Sequence, residues 1–187
     1  MTYIIVDTTL SDPVARPLLD GLEVEYATRY REFRQNSAAL ASEELARYPA
    51  ELFAPPDGAF IVIVRDGETV GGGAFKRYDA TTAELKRIWT HAGLRRQGLA
   101  RRVVQALEAR AVRQGYRRVY LTTGFRQPEA AGLYISAGYE PLFDQSIAPE
   151  VQEGVVIWQS LRGARPDAFA DRDRPITTKD SLSAVIE

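Results

Sequence analysis

The segment Arg95-Arg96-Gln97-Gly98-Leu99-Ala100 sets two guanidinium groups and two small residues at the start of an apolar-periodic stretch. A helix N-terminus presents backbone N–H groups without intrahelical acceptors and a partial positive charge, and small residues let an anion approach both. The segment therefore reads as a phosphate or pyrophosphate site, or simply as the cap of a helix. Three other side chains stand out for proton transfer. Glu84 precedes the apolar part of a strand, where a carboxylate is costly unless it is used or paired. It is a candidate general base, acting directly or through a water, or an ion-pair partner of Lys86, which strand alternation puts on the same side. His91 is of a residue type suited to proton transfer, but its place beside Ala92-Gly93 suits a surface loop. Tyr134 shares a helical face with Ala130, Leu133 and Ala137, so its ring points inward, either as a proton donor or as a core tyrosine bonded to a carbonyl.

Composition removes several chemistries. The chain has no cysteine, which excludes disulfides, thiolate catalysis and cysteine metal sites and suits a reducing, cytoplasmic setting. Its single histidine excludes a multi-histidine metal site, so no metal is expected. The start, Met1-Thr2-Tyr3-Ile4-Ile5-Val6-Asp7, lacks the basic and long apolar regions of a signal peptide, and no apolar run is long enough to span a bilayer. The net charge of −1 conceals eight arginines and one acid, Glu108, between Arg95 and Arg118. A nearly neutral protein with one cationic stretch suits a discrete anion better than a nucleic-acid backbone. Neither a P-loop nor a three-glycine dinucleotide fingerprint is present.

The elements that must hold these residues alternate in period. Tyr3 to Asp7 reads as a strand, and Ser11-Asp12-Pro13 opens a helix carrying Val14, Leu18, Leu22 and Tyr26 to about Tyr30. The polar stretch Arg31 to Ser42 has no assigned element, and a short helix follows from Ser42. Ala59 to Arg65 and Val70 to Tyr78 form a hairpin about Asp66-Gly67. Gly71-Gly72-Gly73 inside its second strand marks a close approach or a bulge. Thr82 to His91 is a strand, Gly98 to Gln114 a helix with the stripe Leu99, Val103, Leu107 and Ala111, and Arg117 to Thr123 a central parallel strand. Pro128 to Ala137 is a helix, followed by strands at Tyr139 to Phe143 and Gly154 to Leu161. The composition shifts after Leu161. Residues 1–161 are expected to form one domain, with 162–187 a tail that is loosely attached or ordered by a partner subunit, a homodimer included.

Two segments together resemble the GNAT superfamily of N-acetyltransferases. Arg95, Gly98 and Ala100 match its acetyl-CoA signature Arg/Gln-x-x-Gly-x-Gly/Ala, and Gln127-Pro-Glu-Ala130-Ala-Gly-Leu133-Tyr134-Ile-Ser-Ala-Gly138-Tyr139 is similar to its downstream Asn-x-x-Ala-x-x-Leu-Tyr-x-x-x-Gly-Phe/Tyr. Gln127 stands where asparagine is usual, and Ala100 where a second glycine is commoner. The resemblance implies an α/β (α+β) fold with a mixed, mostly antiparallel sheet of six to seven strands, flanked by helices and splayed between the fourth and fifth strands. It implies acetyl-CoA as co-substrate, with the backbone of Ile88, Trp89 and Thr90 pairing with the pantetheine arm. Arg95, Arg96, Gln97, Gly98, Leu99, Ala100 and Arg101 would hold the pyrophosphate, with Gln127 and Ala130 also at the cofactor. Tyr134 becomes the general acid. The acceptor is expected to be a primary amine of a small molecule, attacked directly in a ternary complex, against a wall that includes Tyr26, Tyr30 and Arg31. A protein that senses acetyl-CoA without turning it over is the alternative.

Overall fold

Ala59–Arg65 reads AFIVIVR without alternation because both faces of this strand are covered. Ile61 and Ile63 pack with one buried cluster, while Phe60 and Val62 pack with another on the opposite side of the sheet. The computed structural model describes residues 2–29, 45–123, 127–142, 144, 146 and 155–160. Its strands are β1 (Tyr3–Asp7), β2 (Ala59–Arg65), β3 (Glu68–Arg77), β4 (Thr82–Thr90), β5 (Arg118–Thr123), β6 (Glu140–Pro141) and β7 (Val155–Ser160). Its helices are α1 (Arg16–Arg29), α2 (Leu99–Arg113) and α3 (Pro128–Ser136), with single 3-10 turns at Pro13–Ala15, Ala50–Phe53 and Ala92–Leu94. The strands form one sheet of seven, in the order β1-β2-β3-β4-β5-β7-β6.

Each helix follows from local signals. The Asp12 side chain accepts from the Val14 N–H at 3.0 Å and caps the 3-10 turn that leads into α1. Leu18, Leu22 and Tyr26 of α1 are buried against Phe60, Val62, Ala74 and Trp89 on one face of the sheet. Helix α2 covers the other face with Leu99, Val103, Leu107 and Ala111, all buried as their spacing predicts. Each large side chain of that stripe contributes roughly 1.5–3 kcal/mol by leaving water. The Asp66-Gly67 hairpin has positive φ at both residues (53° and 86°), the requirement of a type I′ turn.

The sequence differs from the structure in three places. β5 is central but not uniformly parallel: it runs parallel to β4 and antiparallel to β7, because the chain returns from α3 along its far edge. β3 begins at Glu68 rather than Val70, and the strand expected over Tyr139 to Phe143 is reduced to Glu140–Pro141. The stretch 30–44, which includes Tyr30, Arg31 and the expected start of a second helix, lies outside the described residues, as does the tail 162–187.

The glycine run on β3 combines both readings that its sequence allowed. The β3–β4 register passes from Gly72↔Trp89 to Ala74↔Lys86, so β4 carries one extra residue opposite Gly73. Gly72 also meets a close approach: a Cβ there would lie 2.5 Å from the Ile61 carbonyl oxygen and 2.5 Å from Leu18 Cδ1. Gly72→Ala is therefore expected to cost about 1–3 kcal/mol, read as a lower urea midpoint with unchanged slope. An unchanged midpoint would mean that both α1 and the β2 backbone at Ile61 can shift at no cost.

Candidate active site

β4 and β5 are paired only over Thr82↔Arg118, Ala83↔Val119 and Glu84↔Tyr120. Beyond Glu84 the strands separate, so among the described residues the β5-facing edge of Leu85 to Thr90 has no strand neighbour. The gap opens into a groove of about 630 Å³, a size suited to a cofactor-scale ligand. Its walls are Leu85 to Thr90 of β4, Leu121 to Thr123 of β5, Leu22, Glu25 and Tyr26 of α1, the turn before α2, and Gln127, Glu129, Ala130, Leu133 and Tyr134 at and within α3. Thr123 is 3% exposed and its Oγ1 has no hydrogen-bond partner among the described residues. A buried hydroxyl left without a partner is costly, and an amide or carbonyl of an extended ligand would satisfy it.

The turn before α2 stands at the mouth of this groove. Gly98 has φ 78° and a Cβ added there would meet nothing within 4 Å, so the backbone faces open space. The first helical bond is Arg102 N–H to Gly98 O at 3.1 Å, which leaves the N–H groups of Leu99, Ala100 and Arg101 without intrahelical acceptors. Arg95, Arg96, Gly98, Leu99, Ala100 and Arg101 all line the groove. Gln97 does not: its side chain accepts a long hydrogen bond from the Tyr3 hydroxyl at 3.5 Å.

Several predicted residues are engaged in contacts that spacing did not foresee. Arg95 pairs with Glu25 at 3.0 Å, Glu25 with Arg29 at 2.6 Å, and Arg29 with Glu129, so a chain of ion pairs joins the turn, α1 and α3 across the mouth. Burial raises the Glu129 carboxyl, but the Arg29 guanidinium outweighs it and holds the group below its usual range. Arg101 donates to the carbonyl and hydroxyl of Ser136, both at 3.2 Å, and so ties α2 to α3. His91 is exposed, and its Nδ1 accepts from the Gly93 N–H at 3.2 Å, which is the loop role expected of it.

Tyr134 is 4% exposed, lines the groove and packs its ring on Tyr139 at 5.4 Å. Tyr139 donates to Glu108 at 2.6 Å. Burial, followed by the Glu108 charge, pushes the Tyr139 phenol far upward, so it stays protonated. Tyr134 thus sits on a rigid aromatic base.

Glu84 is placed otherwise than a general base requires. It is buried, it does not line the groove, and its carboxylate bonds to Lys86 at 2.9 Å and to Lys76. The ion-pair reading is the arrangement found. Burial raises this carboxyl, but the charges of Lys86 and Lys76 dominate and bring it below the ordinary glutamate range. A depressed value means that its stabilisation is complete above pH 4.5 and is lost as pH falls through the folded value. Glu84→Gln should cost about 3–5 kcal/mol at neutral pH by leaving the buried Lys86 and the half-buried Lys76 without their carboxylate. It should also flatten the acid limb of stability, measured by urea unfolding across pH. An equally steep acid limb in the variant would assign the effect to other carboxylates.

Sequence reasoning missed Arg87. It has φ 59° and occupies the extra position of the β4 bulge. Its guanidinium donates to the Leu45 carbonyl at 2.6 Å and stands 4.4 Å from the Phe53 ring centroid. Among the described residues no three histidines or carboxylates cluster as metal ligands, and no helix is long and apolar enough to cross a membrane.

The arrangement of strand splay, glycine turn and inward tyrosine has counterparts. The model of the acetyltransferase (GNAT) family matches residues 23–139 of this chain. The chain belongs to the GNAT family. Its similarity to the uncharacterised N-acetyltransferase YjgM of Escherichia coli (strain K12) is 29% identity over 93 residues, covering 48% of this GNAT chain and 56% of the relative. The chain thus spans little more than half the length of that relative. Among solved structures, a GNAT-family acetyltransferase from Staphylococcus aureus Mu50 superposes with TM-score 0.64 at 13% identity, over 86% of this chain and 100% of that one. The PaiA N-acetyltransferase of Thermoplasma acidophilum, solved with coenzyme A, gives TM-score 0.64 at 15% identity, over 86% and 99%. These two likenesses are likenesses of fold.

Proposed function

We propose that this chain transfers the acetyl group of acetyl-CoA to a primary amine of a small molecule, by direct attack in a ternary complex. The observation that carries the reading is the splay of β4 from β5 running into the Gly98 turn. It offers an unpaired strand edge for an amide-bearing arm and a helix N-terminus for a pyrophosphate. The Thr123 hydroxyl, buried and without a described partner, suits the same occupant. Coenzyme A in the PaiA structure supports the choice.

Acetyl-CoA supplies the activated thioester. The residues of this chain do the rest. The open edge of β4 orients the acetyl carbonyl and points backbone N–H groups where negative charge develops on its oxygen. As the amine nitrogen bonds to the carbonyl carbon, the carbon–sulfur bond breaks, and Tyr134 gives its phenolic proton to the departing sulfur. The amine must arrive uncharged. The Glu84 carboxylate is committed to Lys76 and Lys86, so we assign it the positioning of Lys86, with the amine proton passing to water. Arg95, now on Glu25, would turn to or share the pyrophosphate.

The test is a screen of amines with acetyl-CoA that detects released thiol. Saturable, amine-dependent thiol release supports the reading. Acetyl-CoA binding without turnover of any amine would leave the alternative, a sensor.

A further inference from the structure

We propose that Glu25 is a positioning residue for the cofactor: its carboxylate competes with the pyrophosphate for the Arg95 guanidinium and so sets cofactor affinity. The inference rests on the acetyl-transfer reading for the identity of that anion, and on the ion pairs at the mouth for the competition.

The arginines around the Gly98 turn are not equivalent. Arg95, Arg96 and Arg101 all line the groove. Arg101 donates to the neutral carbonyl and hydroxyl of Ser136, and Arg96 is exposed with no carboxylate partner among the described residues. Arg95 alone of the three pairs with a carboxylate, donating from Nη2 to Oε2 of Glu25 at 3.0 Å. A negative charge that close cancels much of the attraction that Arg95 would offer to a second anion.

The surroundings make the exchange easy. Glu25 belongs to α1 and Arg95 to the turn, 70 positions apart, so their bond ties two elements and is part of neither. The Arg95 side chain is 42% exposed, which leaves it room to turn. Glu25 is held more firmly: its side chain is 19% exposed and also pairs with Arg29 at 2.6 Å, which in turn reaches Glu129. Burial raises the Glu129 carboxyl and Arg29 lowers it, and the Arg95 charge lowers it further, so Arg95 stands near both acids of the mouth. The four side chains balance two carboxylates against two guanidiniums. When Arg95 turns to the pyrophosphate, Arg29 still bridges both carboxylates, and neither is left without a counter-charge.

The sign of the effect distinguishes this role from two others. A purely structural tie between α1 and the turn, once cut, would loosen the groove and weaken its ligands. A carboxylate that aims the guanidinium at the pyrophosphate would also weaken cofactor binding when removed. Removal of a competitor strengthens it.

The experiment titrates the full chain, Glu25→Gln and Glu25→Asp with coenzyme A and, separately, with inorganic pyrophosphate, by calorimetry. Glu25→Gln should bind both about three- to fivefold more tightly than the wild type, the scale of one partly exposed ion pair. Glu25→Asp, which keeps the charge, should stay near the wild type. In an Arg95→Gln background the glutamine substitution should have no effect, because the guanidinium in dispute is gone. Thermal melts report that the variants are folded. Glu129→Gln gives a second route: it leaves Arg29 to Glu25 alone, which loosens the hold on Arg95, and coenzyme A should again bind more tightly. Weaker or unchanged coenzyme A binding in Glu25→Gln, or a gain that survives in the Arg95→Gln background, would overturn the competition. If the wild type binds no coenzyme A, the acetyl-transfer reading fails. Inorganic pyrophosphate held more tightly by Glu25→Gln than by the wild type would then still sustain the competition, and equal or absent binding would remove it.

Discussion

Gly98→Glu is expected to weaken acetyl-CoA binding by at least about a hundredfold while the protein still folds. Both halves of that expectation come from the same backbone. Gly98 has φ 78°, a region that costs a residue with a Cβ roughly 1–2 kcal/mol, and total stability absorbs a loss of that size. Apart from its chain neighbours nothing lies within 4 Å of the added Cβ, so the new side chain starts into open space. The room, however, is the mouth of the groove. A carboxylate there faces the N–H groups of Leu99, Ala100 and Arg101 and the guanidiniums of Arg95, Arg96 and Arg101, the groups assigned to the pyrophosphate. It fills their space and cancels their field. Gly98→Asn serves as control, since asparagine tolerates this backbone region and adds no charge. Its affinity should fall far less. Calorimetric titration with acetyl-CoA, alongside thermal melts, decides the matter. An unchanged affinity in the glutamate variant would remove the pyrophosphate from this turn and the basis of the proposed function with it.

What the sequence disclosed of this site, and what it hid, follows from the range of the interactions concerned. The turn and α2 are local: Gly98, the Leu99-Val103-Leu107-Ala111 stripe and the small residue Ala100 lie within 14 positions of one another and need no distant partner to be read. Tyr134 was legible for the same reason, as one face of a short helix. The pairing of Glu84 with Lys86 was legible too, because residues two apart on a strand share a side. Lys76 was not, since its approach depends on the β3–β4 register, Lys76↔Glu84. The bulge at Arg87 depends on that same register. An alternation rule applied along one strand assigns Arg87 to the wrong face, away from the Leu45 carbonyl and the Phe53 ring that its guanidinium contacts. Gln97 illustrates the converse. Its spacing fits the motif, yet its side chain turns to Tyr3 of β1, a contact between residues 94 positions apart.

Tyr134→Phe is expected to lower kcat by about a hundredfold or more while leaving the affinity for acetyl-CoA within a factor of about three. The phenol is assigned one task, protonation of the sulfur as the carbon–sulfur bond breaks, and a positioned acid contributes typically 10²–10⁴-fold to such a step. The substitution removes only the hydroxyl. The ring remains to pack on Tyr139 and against the α2 side of the sheet, so the groove should keep its shape and the cofactor its contacts with β4 and the Gly98 turn. A core tyrosine with no part in the chemistry would behave differently: losing a buried hydrogen bond costs about 1–3 kcal/mol of stability and leaves kcat nearly intact. Kinetics and thermal melting in the same variant therefore separate the two roles. If kcat holds within a few-fold while the melting temperature drops, Tyr134 is structural and the thiolate leaves without an acid from this chain. Wild-type protein that binds acetyl-CoA but acetylates no amine would argue for the sensor instead, and in that case Tyr134→Phe should change neither readout beyond stability.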